Sequence, residues 1–349
     1  MKTTNPLAVA LMLWSLAGAA TVLAQEPRWL NAQVRARAVT AGLEQEFRAL
    51  VTQQSGPVWI GYAVPAIAGG HRICYDSDGN MNSRDGDDQT GGNRAHRVVV
   101  LFRVADQKVS RIRLFSEDYE LIVVDNGGLA VHWLTGVRPN ESVAFLASLV
   151  NVADHAAKVE RKKAEVALAA IAFHDDPAAD QALEQFIAPD QPVELRKNTA
   201  FWLGSLRGKK GYEVVRRLAR NDPSEKVREH CVFALSLSKA PEAVGAMVEA
   251  ARSDPSSHVR GQALFWLAQK AGEKAAQAIA DAVQNDPETE VKKQAVFALS
   301  QLPKAEGIPR LIEVARSNRN RQIREEAMFW LGQSKDSRAL VFFEEVLMK

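Results

Sequence analysis

Leu195-Arg196-Lys197-Asn198-Thr199-Ala200-Phe201-Trp202-Leu203 is the stretch on which the fold turns, because its frame returns four more times. It comes back as Val227-Arg228 with Phe233-Ala234-Leu235, and as Val259-Arg260 with Phe265-Trp266-Leu267. Val291-Lys292 with Phe297-Ala298-Leu299 and Ile323-Arg324 with Phe329-Trp330-Leu331 complete the set. The starts at 195, 227, 259, 291 and 323 lie 32 residues apart, without insertion. A fixed period of this size marks stacked supersecondary units. Each returning stretch reads as a helix A, and a second helix B follows it, near 179–188, 211–221, 243–252, 275–284, 307–317 and 337–348. Turns containing Asp222-Pro223, Asp254-Pro255 and Asp286-Pro287 precede the next helix A, as Asp-Pro turns that start helices do. Glu160–Ala172 fits the same register one period upstream, which gives about six units.

Working outward, residues 155–349 are helical throughout, whereas 26–150 read as a small α+β domain, an antiparallel meander with flanking helices. Leu30, Val34, Leu43, Phe47 and Leu50 space out as an amphipathic helix over 29–54. Val58 to Val64 reads as a strand ending at Pro65. His96–Val104 and Lys108–Phe115 are paired strands turning at Asp106. Tyr119–Val124 and Leu129–Leu134 are expected to pair across Asp125-Asn126-Gly127-Gly128, since Asn-Gly between apolar runs is a hairpin signal. Pro139-Asn140-Glu141-Ser142 opens a helix through Leu149. The fold class expected is therefore mainly α, a solenoid of helix pairs preceded by a small α+β domain.

Residues 1–24 have the pattern of a signal peptide: Lys2, an apolar run from Leu7 to Leu23, and the small-residue site Val22-Leu23-Ala24 before Gln25. Cleavage leaves a secreted or periplasmic protein; retention would leave an anchor at the lower length limit for a span. The chain carries 44 basic and 42 acidic residues. Losing Lys2 leaves 43 against 42, a balance unlike that of a nucleic-acid binder. Cys74 and Cys231 fall in different regions and are expected to be free thiols; Cys231 takes a row held elsewhere by Thr199, Ala263, Ala295 and Ala327.

The helix pairs, with Asp in the turn and Arg six residues later, resemble HEAT repeats, in the short subtype first noted in phycobilisome lyases. The matching pairs are Asp190/Arg196, Asp222/Arg228, Asp254/Arg260, Asp286/Lys292 and Asn318/Arg324. The resemblance implies that they form a hydrogen-bonded ladder between neighbouring repeats, and that the B helices line a concave, partner-facing side. On those helices one row reads Arg220, Arg252, Gln284, Arg316 and another Arg217, Glu249, Asp281, Glu313. Arg and Glu three apart pair locally on a helix, so this is either a solvated salt-bridged face or a mixed-charge groove for a protein segment. The last helix places Val341, Phe342 and Met348 where earlier units carry Pro309, Arg310 and Arg316. Terminal units are normally polar outside, so this face is expected to dock, onto another subunit or onto the N-terminal domain.

On a wheel of about 100° per residue, row 202 (Trp202, Ala234, Trp266, Ala298, Trp330) points at the core, with the phenylalanine row on the flank that meets the adjacent repeat. Ligand stacking by the tryptophans is the competing reading. Asp76-Ser77-Asp78-Gly79-Asn80-Met81-Asn82, then Asp85, Asp87 and Asp88, has the oxygen-rich composition of a calcium loop. With Asp76 first, however, the sixth position is Met81 and the twelfth Asp87, which breaks the EF-hand pattern. The alternatives are a solvated loop and a Ca2+ site made by Asp76, Asp78, Asn80, Asn82, Asp85 and Asp87. None of the seven histidines sits in a His-Glu pair of the kind repeated in HEAT-like di-iron hydroxylases, and none has zinc-site spacing. No phosphate loop or nucleophile elbow occurs. The expectation is thus a non-catalytic scaffold binding a protein partner, without nucleic acid and without a cofactor, able to oligomerise through the last helix. The competing expectation is a ligand- or calcium-binding module in 26–150 with the solenoid as support.

Overall fold

The computed structural model of the protein describes residues 29–30, 33–67, 73–78, 97–116, 124–125, 127–151 and 156–348. Strands β1 (Trp29–Leu30) and β2 (Val34–Ala38) precede helix α1 (Leu43–Gln53). They are followed by β3 (Val58–Pro65), β4 (Cys74–Asp76), β5 (Arg97–Ala105), β6 (Lys108–Ser116), β7 (Val124–Asp125), β8 (Val131–Thr135) and α2 (Pro139–Val150). Six of the strands form one sheet in the order β2-β8-β3-β5-β6-β4, and β1 pairs separately with β7. The β5–β6 hairpin turns through Asp106 and Gln107, both at positive φ, the two-residue turn whose twist suits flanking strands.

Two sequence expectations fail here. The sheet is mixed, not an antiparallel meander: β3, β5, β6 and β4 alternate in direction, but β8 runs parallel to both β2 and β3. Both edges of β8 are occupied, and Val124 and Asp125, at the end of the strand expected to pair with it, pair with β1 instead; residues 117–123 of that expected strand lie outside the described residues. The helix expected over 29–54 begins only at Leu43. Val34, Ala36 and Ala38 alternate with Arg35 and Arg37, a period-two pattern that pairs with β8, and Gly42 at φ +98 separates that strand from the helix.

One sheet face, including Ile60, Tyr62, Val100, Phe102, Ile112 and Leu114, shares a core with α1, α2 and the helices that follow. Phe47, Phe102 and Phe145 meet there with ring centroids 4.7–5.5 Å apart. The opposite face carries a second buried cluster around Trp59, Leu101 and Trp133. Gly61 lies where a Cβ would sit 2.2 Å from a Leu101 methyl.

Helices then pair in order. They are α3 (Lys158–Phe173) with α4 (Pro177–Phe186), α5 (Val193–Leu206) with α6 (Gly208–Asn221), and α7 (Glu225–Leu237) with α8 (Ala243–Ser253). Next come α9 (Ser257–Ala271) with α10 (Glu273–Asn285), α11 (Thr289–Gln301) with α12 (Lys304–Ser317), and α13 (Arg321–Gln333) with α14 (Ser337–Leu347). The A and B helices of a pair cross closely because the first turn of helix B carries the small row Gly211, Ala243, Ala275, Gly307. A Cβ on Gly211 would lie 2.0 Å from the Leu203 carbonyl oxygen, and one on Gly307 2.4 Å from that of Leu299.

Row 202 does not point wholly at the core. Ala234 and Ala298 are fully buried, but Trp202, Trp266 and Trp330 are only half-buried. An indole is too large for the interior, so it lies along the inter-repeat seam against phenylalanines. Phe201 stacks on Phe233 and Phe265 on Phe297, each at 6.1 Å. Trp266 and Trp330 fill the alternate gaps, 4.8 and 4.9 Å from Phe233 and Phe297. The large–small alternation thus sets which junctions stack Phe on Phe and which insert an indole. At the near end Trp202 touches Phe173 and Tyr75 of β4.

The hydrophobic core is continuous from the sheet into the helices, and the junction is hydrogen-bonded. Ile67 donates to the Phe173 carbonyl and Asp175 to the Pro65 carbonyl, at 3.0 and 3.1 Å. Deeper, the buried His174 ring lies 2.6 Å from the Ala170 carbonyl and 2.8 Å from the Ser142 hydroxyl, which in turn bonds the Tyr62 hydroxyl at 2.8 Å. A carbonyl only accepts, so Nδ1 carries the proton and Nε2 can stay unprotonated. Burial lowers the His174 pKa to about 4. The unfolded chain therefore takes up its proton first, so this contribution is complete above pH 6.5 and is lost as pH falls toward 4. Urea unfolding between pH 6.5 and 5 should lose about 1.5 kcal/mol more stability in the wild type than in His174→Gln; equal slopes would show that His174 is not the group responsible.

Candidate functional site

The inter-repeat seams are held by a buried ion-pair ladder. At each Asp turn the carboxylate accepts from a backbone N–H two residues on: Ser224 to Asp222 and Ser256 to Asp254 at 2.8 Å, and Glu288 to Asp286 at 2.9 Å. The same carboxylates take an arginine from the preceding helix A. Arg228 binds Asp254 through two bonds of 2.9 and 3.1 Å, and Arg260 binds Asp286 at 2.8 and 3.1 Å. A third nitrogen of each arginine donates 2.9 Å to the carbonyl of the turn Asp in its own repeat, Asp222 or Asp254. The arginine thus bridges two turns 32 residues apart, and only a planar multi-donor fork can do this.

The rungs stop at both ends for identifiable reasons. Arg196 reaches Asp222, but its Nε is buried without a partner. Asp190 is exposed and takes no rung, because the ladder row one repeat earlier holds Ala164. Lys292 does not reach Asn318; its ammonium donates 2.9 Å to the Gln284 carbonyl instead. Arg324 keeps only the carbonyls of Asn318 and Arg319, at 2.7 and 3.2 Å. Asp190, Lys292, Asn318 and Arg324 therefore stand in the ladder's rows without forming its ion pairs.

On the B helices the charged rows pair between helices, not within one. Arg217 reaches back 3.1 Å to Glu184 of α4, and Arg220 reaches forward 3.3 Å to Glu249 of α8. Arg252 contacts Asp281 of α10 at 2.8 Å, and Arg316 pairs with Glu345 of α14. Adjacent B helices bring these side chains closer than the local spacing of three does. The belt has one gap: Gln284 replaces an arginine on α10, and among the described residues Glu313 has no ion pair. Such pairs are worth about 0–1 kcal/mol each when solvent reaches them. Arg220, Arg252 and Arg316 are all more than half exposed. The belt is thus a solvated stripe of alternating charge that is cheap to rearrange.

The last helix divides its expected site residues. Phe342 is buried, 2 % exposed, beneath the Arg316 guanidinium at 5.5 Å, so it is a core residue and no part of a docking face. Val341 and Met348 stand in solvent, joined by Leu340, Val346 and Leu347. Those neighbours were legible in the sequence only as the apolar flank of the same helix.

Of the oxygen-rich loop, Asp76 and Asp78 are described; Asn80, Asn82, Asp85 and Asp87 lie outside the described residues. Asp76 closes β4 and accepts from Arg111 and from Arg113, the latter at 2.7 Å, while Arg111 also reaches Asp78 at 2.7 Å. The arginines hold the Asp76 carboxyl below its ordinary range against the opposing effect of burial. Both cysteines are free thiols, Cys231 fully buried. Among the described residues no group of three or more His, Cys, Asp or Glu side chains clusters as a metal site, and no helix is long and apolar enough to cross a membrane.

With this geometry in hand, the class of protein is a solenoid of ladder-linked helix pairs. Residues 181–268 match the family described as HEAT repeats, and the 32-residue register carries the same construction on through α14. No curated protein sequence matches the chain. Solved structures similar to it include YibA of Escherichia coli, 22% identical over 60% of this chain and 79% of that one, with a TM-score of 0.38. Human deoxyhypusine hydroxylase is 19% identical over 59% and 90% of the two chains, at TM-score 0.26. The CpcE–CpcF complex of phycocyanin lyase from a Nostoc species is 20% identical over 57% and 77%, at TM-score 0.31.

The ladder sets a contrast that chemical denaturation can read. Arg228→Ala should cost about 3 kcal/mol, because it leaves Asp254 buried without its counter-charge. Arg324→Ala, which faces no carboxylate across its junction, should cost about 1 kcal/mol. Equal losses would remove the ion pair as the source of seam stability.

Proposed function

We propose that the protein is a non-catalytic scaffold of the cell envelope or the secreted space, whose B-helix surface binds a segment of a protein partner. The observation that carries this reading is the exposed belt running across α4, α6, α8, α10, α12 and α14 above a ladder-braced interior. The interior fixes the spacing of the charges, while each surface pair opens at a cost of about 1 kcal/mol or less. A partner carrying both signs of charge at matching spacing can therefore exchange these pairs for its own without rebuilding the solenoid. Extended surfaces of this kind are what stacked repeats present for binding. Glu313, left by the gap at Gln284, offers an anchoring acid for a basic side chain. The envelope location rests on the signal-peptide pattern of residues 1–24.

Two measurements test this reading. The protein should capture a partner from envelope extracts, and Arg220→Glu, Arg252→Glu and Arg316→Glu together should abolish capture while leaving the circular dichroism spectrum and melting temperature within a few degrees of wild type. Capture that survives the triple reversal would move the binding surface elsewhere. Mass spectrometry of the protein from its native host should find the mature chain starting at Gln25 in an extracytoplasmic fraction; an intact Met1 in the cytoplasm would defeat the location.

A further inference from the structure

The six-stranded sheet ends on β4 at one edge and on β2 at the other. β4 is three residues long, whereas β2 presents five, Val34-Arg35-Ala36-Arg37-Ala38. Along a strand, successive residues turn their N–H and C=O toward opposite edges. The Gln33 carbonyl accepts from Val131 and the Val39 N–H donates to Thr135, each at 2.9 Å, so the odd-numbered residues of this stretch face β8. Val34, Ala36 and Ala38 therefore aim theirs at the open side. Ala36 and Ala38 are exposed, and among the described residues no hydrogen bond takes up these three N–H and three C=O groups. An edge of this kind is a template for another extended chain.

The side chains of β2 say which chain fits. Arg35 and Arg37 share one side of the sheet with His132, the register partner of Arg35. Arg37 pairs with the buried Glu46 of α1 at 2.6 Å. Arg35 is exposed and has no ion pair among the described residues. Beside them on α1, Glu44 and Arg48 pair with each other, so the edge keeps an uncompensated positive charge on that side. The other side carries Val34, Ala36 and Ala38. Val34 packs against the buried cluster of Trp59, Leu101 and Trp133, and Ala36 lies opposite Trp133 in the register. A second β2 laid antiparallel about Ala36 would set Arg35 against Arg37 twice, and like charges directly opposed destabilise a strand pair. The edge thus rejects its own copy and favours a strand that brings carboxylates.

We infer that β2 is a docking edge that adds one strand from a protein partner, an extended segment with acidic side chains opposite Arg35 and Arg37 and an apolar one between them, opposite Ala36. The backbone bonds to Val34, Ala36 and Ala38 hold the segment whatever its sequence. The alternation of acidic and apolar side chains sets which segment is taken, since its carboxylates meet the arginines on one side while its apolar residue extends the cluster at Val34 on the other. The edge shares no residue with the B-helix belt, so the inference does not depend on the function proposed above.

Fluorescence anisotropy with the purified full chain and a labelled Val-Glu-Val-Glu-Val peptide tests this. The peptide should bind saturably, and its counterpart with lysine in place of both glutamates should bind at least tenfold more weakly. Arg35→Glu should reverse that preference. Ala36→Pro removes an outward N–H and no bond to β8, a change that edge strands tolerate; it should abolish binding with an unchanged circular dichroism spectrum. No saturation by about 1 mM would overturn the proposal, as would equal binding of the two peptides or an Arg35→Glu variant that keeps the wild-type preference. A folded Ala36→Pro variant that binds like the wild type would overturn it as well; if that variant misfolds, the charge reversal decides alone. Sedimentation velocity supplies the remaining arm: a wild-type dimer that Ala36→Pro turns into a monomer would give the edge to a second copy and defeat the inference.

Discussion

A guanidinium bridging two Asp turns is the interaction on which the rest of the solenoid depends. Stacked helix pairs need a fixed rotation from one to the next, and apolar surfaces alone allow sliding. The bonds from Arg228 to Asp254 and to the Asp222 carbonyl remove that freedom, because their directions are set by a planar fork. The carboxylate in turn is oriented by the backbone N–H it accepts from Ser256. In the Arg228 and Arg260 rungs the Nε and both terminal nitrogens of the guanidinium find acceptors, which is the condition under which a buried charge pair is tolerated. Where the chain supplies Ala164, Lys292 or Asn318 instead, the rung is missing and the seam is left to packing.

The aromatic seam works beside the ladder. Two ring arrangements alternate, Phe on Phe and indole against Phe, so the structural period is twice the sequence period. Alanine at 234 and 298 leaves room for direct stacking; tryptophan at 266 and 330 fills the gap at the next junction. The tryptophans are therefore volume compensators at a seam, half-buried, and their alternation has a packing cause. Its first member reaches Tyr75, so the same row that joins repeats also ties the first of them to the sheet. The Tyr62–Ser142–His174 relay and the strand-like bonds around His174 add polar fixation at the same junction. Sheet and solenoid consequently share one core.

Much of this was written in local sequence. The 32-residue return of Arg, Phe and Leu determined the number, order and approximate limits of the helices, because each unit buries its face on a copy of itself and the pattern cannot drift. The hairpin at Asp106 and the helix opening at Pro139 followed from turn chemistry in the same way. The charged rows of the B helices and the apolar last helix were also visible as departures from the repeat rule.

What only the tertiary structure decided is how those rows meet. Local spacing pairs Arg252 with Glu249, but the neighbouring helix offers Asp281 at 2.8 Å, a distance that no single-helix argument contains. Phe342 and Val341 are adjacent and both apolar, yet one is buried under Arg316 and the other in solvent, since burial depends on where α12 lies. The parallel course of β8 between β2 and β3 is likewise invisible locally: Asn-Gly predicts a hairpin from four residues, whereas pairing is settled by which strand edges remain open. Repetition fixes what each unit is by contacts near in sequence; the seams, the sheet and the exposed end are fixed by contacts far apart in it, and these have no local signature.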